Sequence, residues 1–73
     1  MAEDAQRFWL LFDARGSEEG MVLESLGEHP SKRKAKKDAR SCWQGHHVVL
    51  CSYAQDDDGS LIDEIEEFRG YLH

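Results

Sequence analysis

The sequence predicts a small α+β domain. An antiparallel sheet of three or four strands carries one basic helix across a face, in the order ββαββ or, if the last segment is helical, ββαβα. Three observations predict it. Five consecutive apolar residues, Phe8 to Phe12, make a stretch that is apolar on both faces of an extended chain. The run His46–Ala54 (HHVVLCSYA) is rich in β-branched and aromatic residues. Between them, residues 30–44 read PSKRKAKKDARSCWQ, in which Ala35, Ala39, Cys42 and Trp43 recur at i, i+4, i+7 and i+8 along one helical face.

Taken in order, residues 1–6 read as a flexible tail and residues 7–73 as a single domain. In the first strand, Arg7–Ala14, the side chains of Phe8, Leu10 and Phe12 share one face and Trp9 and Leu11 the other. Apolar character on both faces marks a central strand. The segment 15–20 (RGSEEG) has Gly at one end and next to the other, with polar residues between, and reads as a hairpin loop returning into Met21–Leu26, a more polar edge strand. Ser31 is an N-cap directly after Pro30, and Gly45 is a C-cap residue after Gln44. In the third strand Val48 and Leu50 share one face, and Val49, Cys51 and Tyr53 the other. The dipeptide Asp58-Gly59 predicts a type I′ hairpin turn. Beyond it the signals conflict. The turn calls for a fourth strand, Leu61–Phe68, but Ser60–Asp63 reads as a capping box, and Leu61, Ile62, Ile65 and Phe68 fit helical spacing better than alternation.

Length and composition bound the function. A chain of 73 residues buries only about 60% of the surface its unfolded form exposes, which leaves little room for a substrate pocket. No apolar run reaches 18 residues, and MAEDAQR lacks the basic and apolar regions of a signal peptide, so a cytoplasmic protein without a membrane span is expected. Cys42 and Cys51 then read as reduced, half-buried core residues.

The net charge of −6 conceals a dipole. Residues 31–44 sum to +5 and the rest to −11. Lys32, Lys36 and Arg40 form a row at i, i+4 and i+8, with Arg33 and Lys37 alongside. Lys32, Arg33 and Lys34 occupy the first helical turn, where the dipole disfavours each cation by about 0.3–1 kcal/mol. Either nearby carboxylates offset this or the charges serve binding. Residues 56–67 hold seven carboxylates (Asp56, Asp57, Asp58, Asp63, Glu64, Glu66 and Glu67) and no base.

The progression from FWLLFDA through a hairpin to SKRKAKKDA and then VVLCSYAQDDDG resembles short phage and mobile-element proteins, a group that includes small acidic anti-CRISPR inhibitors. The resemblance covers most of the chain. It implies ββα followed by two further strands, and so a strand after Gly59. It also implies a protein that binds and disables a host macromolecule. It transfers no catalytic residue.

The remaining motifs are weak. Cys42, His46, His47 and Cys51 have a C-x3-H-H-x3-C spacing, but both cysteines read as core and adjacent strand histidines point to opposite faces, so no metal or other cofactor is expected. An EF-hand with Gly59 at its glycine would place Ala54 and Ile65 at the first and last ligands, where carboxylates are needed. No serine sits in a G-x-S-x-G context and no phosphate-binding glycine loop is present, so no enzyme is expected.

These readings converge on a small non-enzymatic macromolecule-binding protein. The leading expectation is an inhibitor whose carboxylates at 56–67 approximate the charge spacing of a phosphate backbone and occupy a basic host nucleic-acid-binding protein. One alternative is a nucleic-acid-binding module using Lys32, Arg33, Lys36, Lys37 and Arg40, opposed by the overall acidity and by the lack of aromatics among the bases. Another is a structural homodimer subunit. One helix covers one sheet face, so a strand at the C-terminus leaves apolar residues on the second face and predicts a dimer, whereas a helical C-terminus predicts a monomer.

Overall fold

The computed structural model describes residues 6–14 and 21–73. The expected tail (apart from Gln6) and the expected hairpin loop at 15–20 lie outside the described residues. The elements are β1 (Arg7–Asp13), β2 (Val22–His29), α1 (Lys32–Trp43), β3 (His47–Gln55) and β4 (Leu61–Tyr71). The four strands form one antiparallel sheet in the order β2-β1-β3-β4. The architecture is therefore ββαββ, with β1 central and β2 at an edge, as the two-faced apolar run and the polar returning strand predict.

The helix covers one face. Trp9, Leu11, Val48, Leu50 and Leu72 pack beneath Ala35 and Ala39, with Leu23, Leu26, Trp43 and Phe68 around them. The two alanines let the helix backbone lie close to the sheet, and each fully buried Leu or Val stabilises by about 1.5–3 kcal/mol. Ser31 caps the helix by accepting from the Lys34 amide, and the chain leaves it through Gly45 in the left-handed region (φ +88°). On the opposite face Val49, Cys51 and Tyr53 are buried among Phe8, Leu10 and Phe12. The two apolar sets are those the alternation separates.

Bulges explain what alternation does not. Trp9 pairs with Gly27 and Leu10 with Ser25, and Leu11 with Glu24 and Phe12 with Val22, so Leu26 and Leu23 are extra residues on β2. The two insertions bring both leucines to the helix side. Two more insertions shape β4. Ala54 pairs with Ile62, Ser52 with Ile65 and Leu50 with Phe68, so residues spaced by three share the helix-side face. The i, i+3 spacing that resembles a helix is here the mark of a doubly bulged strand.

Two expectations are corrected. The β3–β4 turn is not type I′, which needs positive φ at both central residues. Among the described non-glycine residues positive φ occurs at Asp63, not at Asp58. Asp56 and Ser60 close a loop in which the Gly59 amide donates to the Asp56 carbonyl and Gly59 takes the left-handed conformation (φ +85°). Cys42 is exposed on the helix rather than core, because Ala35, Ala39 and Trp43 already fill the face against the sheet. Cys51 is buried, and both thiols are free. No helix among the described residues is long and apolar enough to cross a membrane.

Candidate functional site

The seven carboxylates of 56–67 all belong to β4 and the turn that enters it, but strand geometry divides them. Asp56 stabilises the turn, its Oδ1 accepting from the amides of Asp58 (2.9 Å) and Ser60 (3.0 Å). Asp57 and Asp58 lie at the tip, exposed to solvent. Asp63 occupies a bulge at φ +57°, a conformation Asp tolerates better than most residues. Glu67 lies on the helix side of the sheet, and Glu64 and Glu66 lie on the other side.

Bases and hydroxyls from β1, β3 and β4 itself engage four of the seven. Arg7 at the start of β1 reaches beneath β3 to β4. Its Nε donates to Ser52 Oγ (2.9 Å), its Nη2 to the carbonyls of Ser52 and Asp63, and its Nη1 to Asp63 Oδ2 (3.2 Å). The fully buried Ser52 passes the network on, its hydroxyl donating to Glu67 Oε2 (2.8 Å). On the far face Tyr53 donates to Glu64 (3.1 Å). Burial, and then this bond to a carboxylate, raise the Tyr53 phenol well above its ordinary value. Arg69 grips Glu66 through two bonds of 3.0 and 3.1 Å, which hold the Glu66 carboxyl below the ordinary carboxylate range.

The segment 56–67 contains no base, but the fold brings two to it. Arg7 and Arg69 stand just outside residues 56–67 in sequence and fold back onto it. Not all of the seven are exposed: Glu67 is half-buried against Ser52. Sequence reasoning also missed an apolar element of the same edge. Ile62 and Ile65 are 46% and 42% exposed, since the helix lies towards β2 and leaves this end of β4 uncovered. The charged tip, Asp57 and Asp58, thus adjoins a strand that offers apolar and acidic side chains together.

The basic helix stands apart. His29 Nε2 lies 3.0 Å from the Asp38 carboxylate and Trp43 Nε1 donates to Glu24 (3.1 Å), ties that hold the helix to β2. Lys36 sits over the Phe68 ring at 4.0 Å, and Arg40 is half-buried, so neither is as open as Lys32, Arg33 and Lys37. The first turn contains no acid. Among the described residues no ion pair joins a helix Lys or Arg to the 56–67 carboxylates. The reading in which helix and acidic segment neutralise one another thus finds no contact to rest on.

Cys42 and Cys51 do not come together with His46 and His47. Cys42 is exposed on the helix, whereas Cys51 is buried on the opposite sheet face. His46 packs edge-on against Trp43 (5.1 Å), and His47 stacks on Tyr71 (4.7 Å). Among the described residues no group of three or more His, Cys, Asp or Glu side chains is placed to hold a metal ion. Comparison of the chain with models of protein families, with curated proteins and with solved structures found no match.

Proposed function

We propose that this chain is a small non-enzymatic binding protein that acts in the cytoplasm by presenting its β4 edge and β3–β4 turn to a basic partner. The partner is a nucleic-acid-binding protein, whose phosphate-binding groove the carboxylates occupy in the manner of phage-encoded, anti-CRISPR-type inhibitors. One observation carries the reading. The acidic segment lies along one edge strand and its turn, and no ion pair with a helix Lys or Arg cancels it among the described residues. A polarised surface of this kind steers encounter with an oppositely charged groove. Exposed Ile62 and Ile65 add apolar area beside the charge.

The test is capture of the target from host lysate, followed by binding with nucleic acid titrated in. Competition by nucleic acid, together with weaker binding by an Asp57→Lys/Asp58→Lys variant, supports the reading. A target that ignores both would leave the acidic edge as a solvated surface. These two positions are chosen because neither side chain takes part in the turn's hydrogen bonds, whereas Asp56, Glu64 and Glu67 all hold structure.

A second reading has its own observation. Lys32, Arg33 and Lys34 oppose the helix dipole without an acid in the first turn, which suits a phosphate-contacting role. Sub-micromolar nucleic-acid binding that falls steeply with salt, and is lost when Lys32, Arg33 and Lys37 become Ala, would favour it.

A further inference from the structure

The sheet ends on two free edges, β2 and β4, and the helix treats them differently. It is tied to β2 through His29–Asp38 and Trp43–Glu24, whereas Ile62 and Ile65 on β4 stay exposed. Along β4 the outer main-chain groups face solvent. The Leu72 amide donates to the His46 carbonyl, and the register runs without a shift from His47↔Tyr71 to Leu50↔Phe68. Alternation along an antiparallel ladder therefore points the N–H and C=O of Arg69 and Tyr71 away from β3. Such an edge is a template for another extended chain. The two bulges also sort the side chains of β4. Ile62, Ile65 and Phe68 lie on the helix side, paired with Ala54, Ser52 and Leu50. Glu64 and Glu66 lie on the open side, beside Tyr53 and Cys51. Glu64 keeps its charge there, because its bond comes from a neutral phenol. Two arginines set against the seven carboxylates of residues 56–67 leave the edge negative. A second β4 laid against this one would set acid beside acid, which disfavours self-pairing.

We propose that the β4 edge receives an extended segment of the partner as a fifth strand, one in which Lys or Arg alternates with apolar residues. That the partner is basic rests on the function proposed above; the mode of contact rests on the outward main-chain groups and on the sorted side chains. Pairing with the main chain of Arg69 and Tyr71 sets the register. The apolar side chains of the segment then lie beside Ile62 and Ile65, and its bases lie on the open side towards Glu64. The eleven residues of β4 pair with only nine of β3, so a nine-residue strand spans the edge. A period of two is what this edge selects, and a basic helix does not present it.

The test is an amide NMR titration of the intact chain, with amide exchange followed, using an acetylated nine-residue peptide that alternates Lys and Val. One control is the same peptide N-methylated at consecutive central residues, which blocks both of its edges. The other has the same composition with its lysines and valines in two blocks. The alternating peptide is expected to bind at roughly 0.1–1 mM and to slow exchange of the Arg69 and Tyr71 amides. Both controls should bind at least about fivefold more weakly. Ile62→Lys/Ile65→Lys, at two exposed positions, should weaken the alternating peptide about two- to tenfold. No binding of the alternating peptide at several times that concentration would overturn the proposal. Equal binding of the N-methylated form, or binding that leaves the Arg69 and Tyr71 amides unprotected, would overturn strand pairing while leaving the acidic edge standing. Protection by the alternating peptide, together with a captured partner indifferent to Asp57→Lys/Asp58→Lys and to nucleic acid, would remove the function proposed above and leave the strand site.

Discussion

Replacing Arg7 with Ala removes a connection that joins β1, β3 and β4 on the helix side of the sheet. The lost bonds go to Ser52 Oγ, the Ser52 carbonyl, Asp63 Oδ2 and the Asp63 carbonyl. Hydrogen bonds from a charged donor contribute about 1.5–3 kcal/mol where they are shielded. The two to Ser52 qualify in part, because Ser52 is fully buried while the Arg7 side chain is 24% exposed. The Asp63 carboxylate is 64% exposed, so its share is at most about 1 kcal/mol. Bonds from one guanidinium are not additive, and the expected loss is about 2–3 kcal/mol. For a domain of this size that lowers Tm by roughly 10–20 °C. Urea denaturation followed by tryptophan fluorescence measures it, with Asp63→Asn as comparator, which keeps the left-handed residue and should cost less than about 1 kcal/mol. A loss below about 0.5 kcal/mol for Arg7→Ala, or an equal loss for Asp63→Asn, would refute the reasoning.

Three further outcomes are expected. Burial, and then the Glu64 carboxylate, push the Cys51 thiol from 9.0 up to about 11, so at pH 8 iodoacetamide should label exposed Cys42 and reach Cys51 only after unfolding. Because the folded value lies above the unfolded one, this contribution is fully present below pH 9 and is lost as pH rises towards 11, by up to about 3 kcal/mol. Cys51→Ala should flatten that part of the stability profile. Lys34→Glu places an acid at the third helical position after the Ser31 cap, where it completes a capping box, and should stabilise the fold by about 0.3–1 kcal/mol in thermal melts. With β4 a strand, Phe8, Leu10 and Phe12 border a face with no helix over it among the described residues, so sedimentation should find a dimer at micromolar concentration. A monomer would refute this reasoning, since these half-buried side chains would then need no partner.

Strand order and the two apolar faces were legible in the sequence, because a residue's side of a strand follows from parity and the run Phe8–Phe12 allows only a central position. Parity fails wherever a residue is inserted. Leu23 and Leu26 differ in parity yet both pack towards the helix, and Ile62, Ile65 and Phe68 imitate a helix by their spacing. Gly27 (φ +83°) stands at the β2 bulge that holds Leu26, and Asp63, a residue tolerant of positive φ, at one of those in β4, but no local signal marks the bulge at Leu23. The acidic segment was visible as composition, not as geometry. Which carboxylates remain open depends on Arg7 and Ser52, and these meet Asp63 and Glu67 only through strand pairing. Cys42 was misread because helical spacing alone cannot say how wide a face the sheet covers.

The acidic edge is tested most directly by the association rate with the captured basic partner, measured by stopped flow from low to physiological salt. Electrostatic steering predicts a wild-type rate that falls steeply as salt is added, and an Asp57→Lys/Asp58→Lys variant that is slower at low salt by roughly tenfold or more, with dissociation changed far less. Equal association rates for the two proteins across that range, or a wild-type rate indifferent to salt, would contradict it.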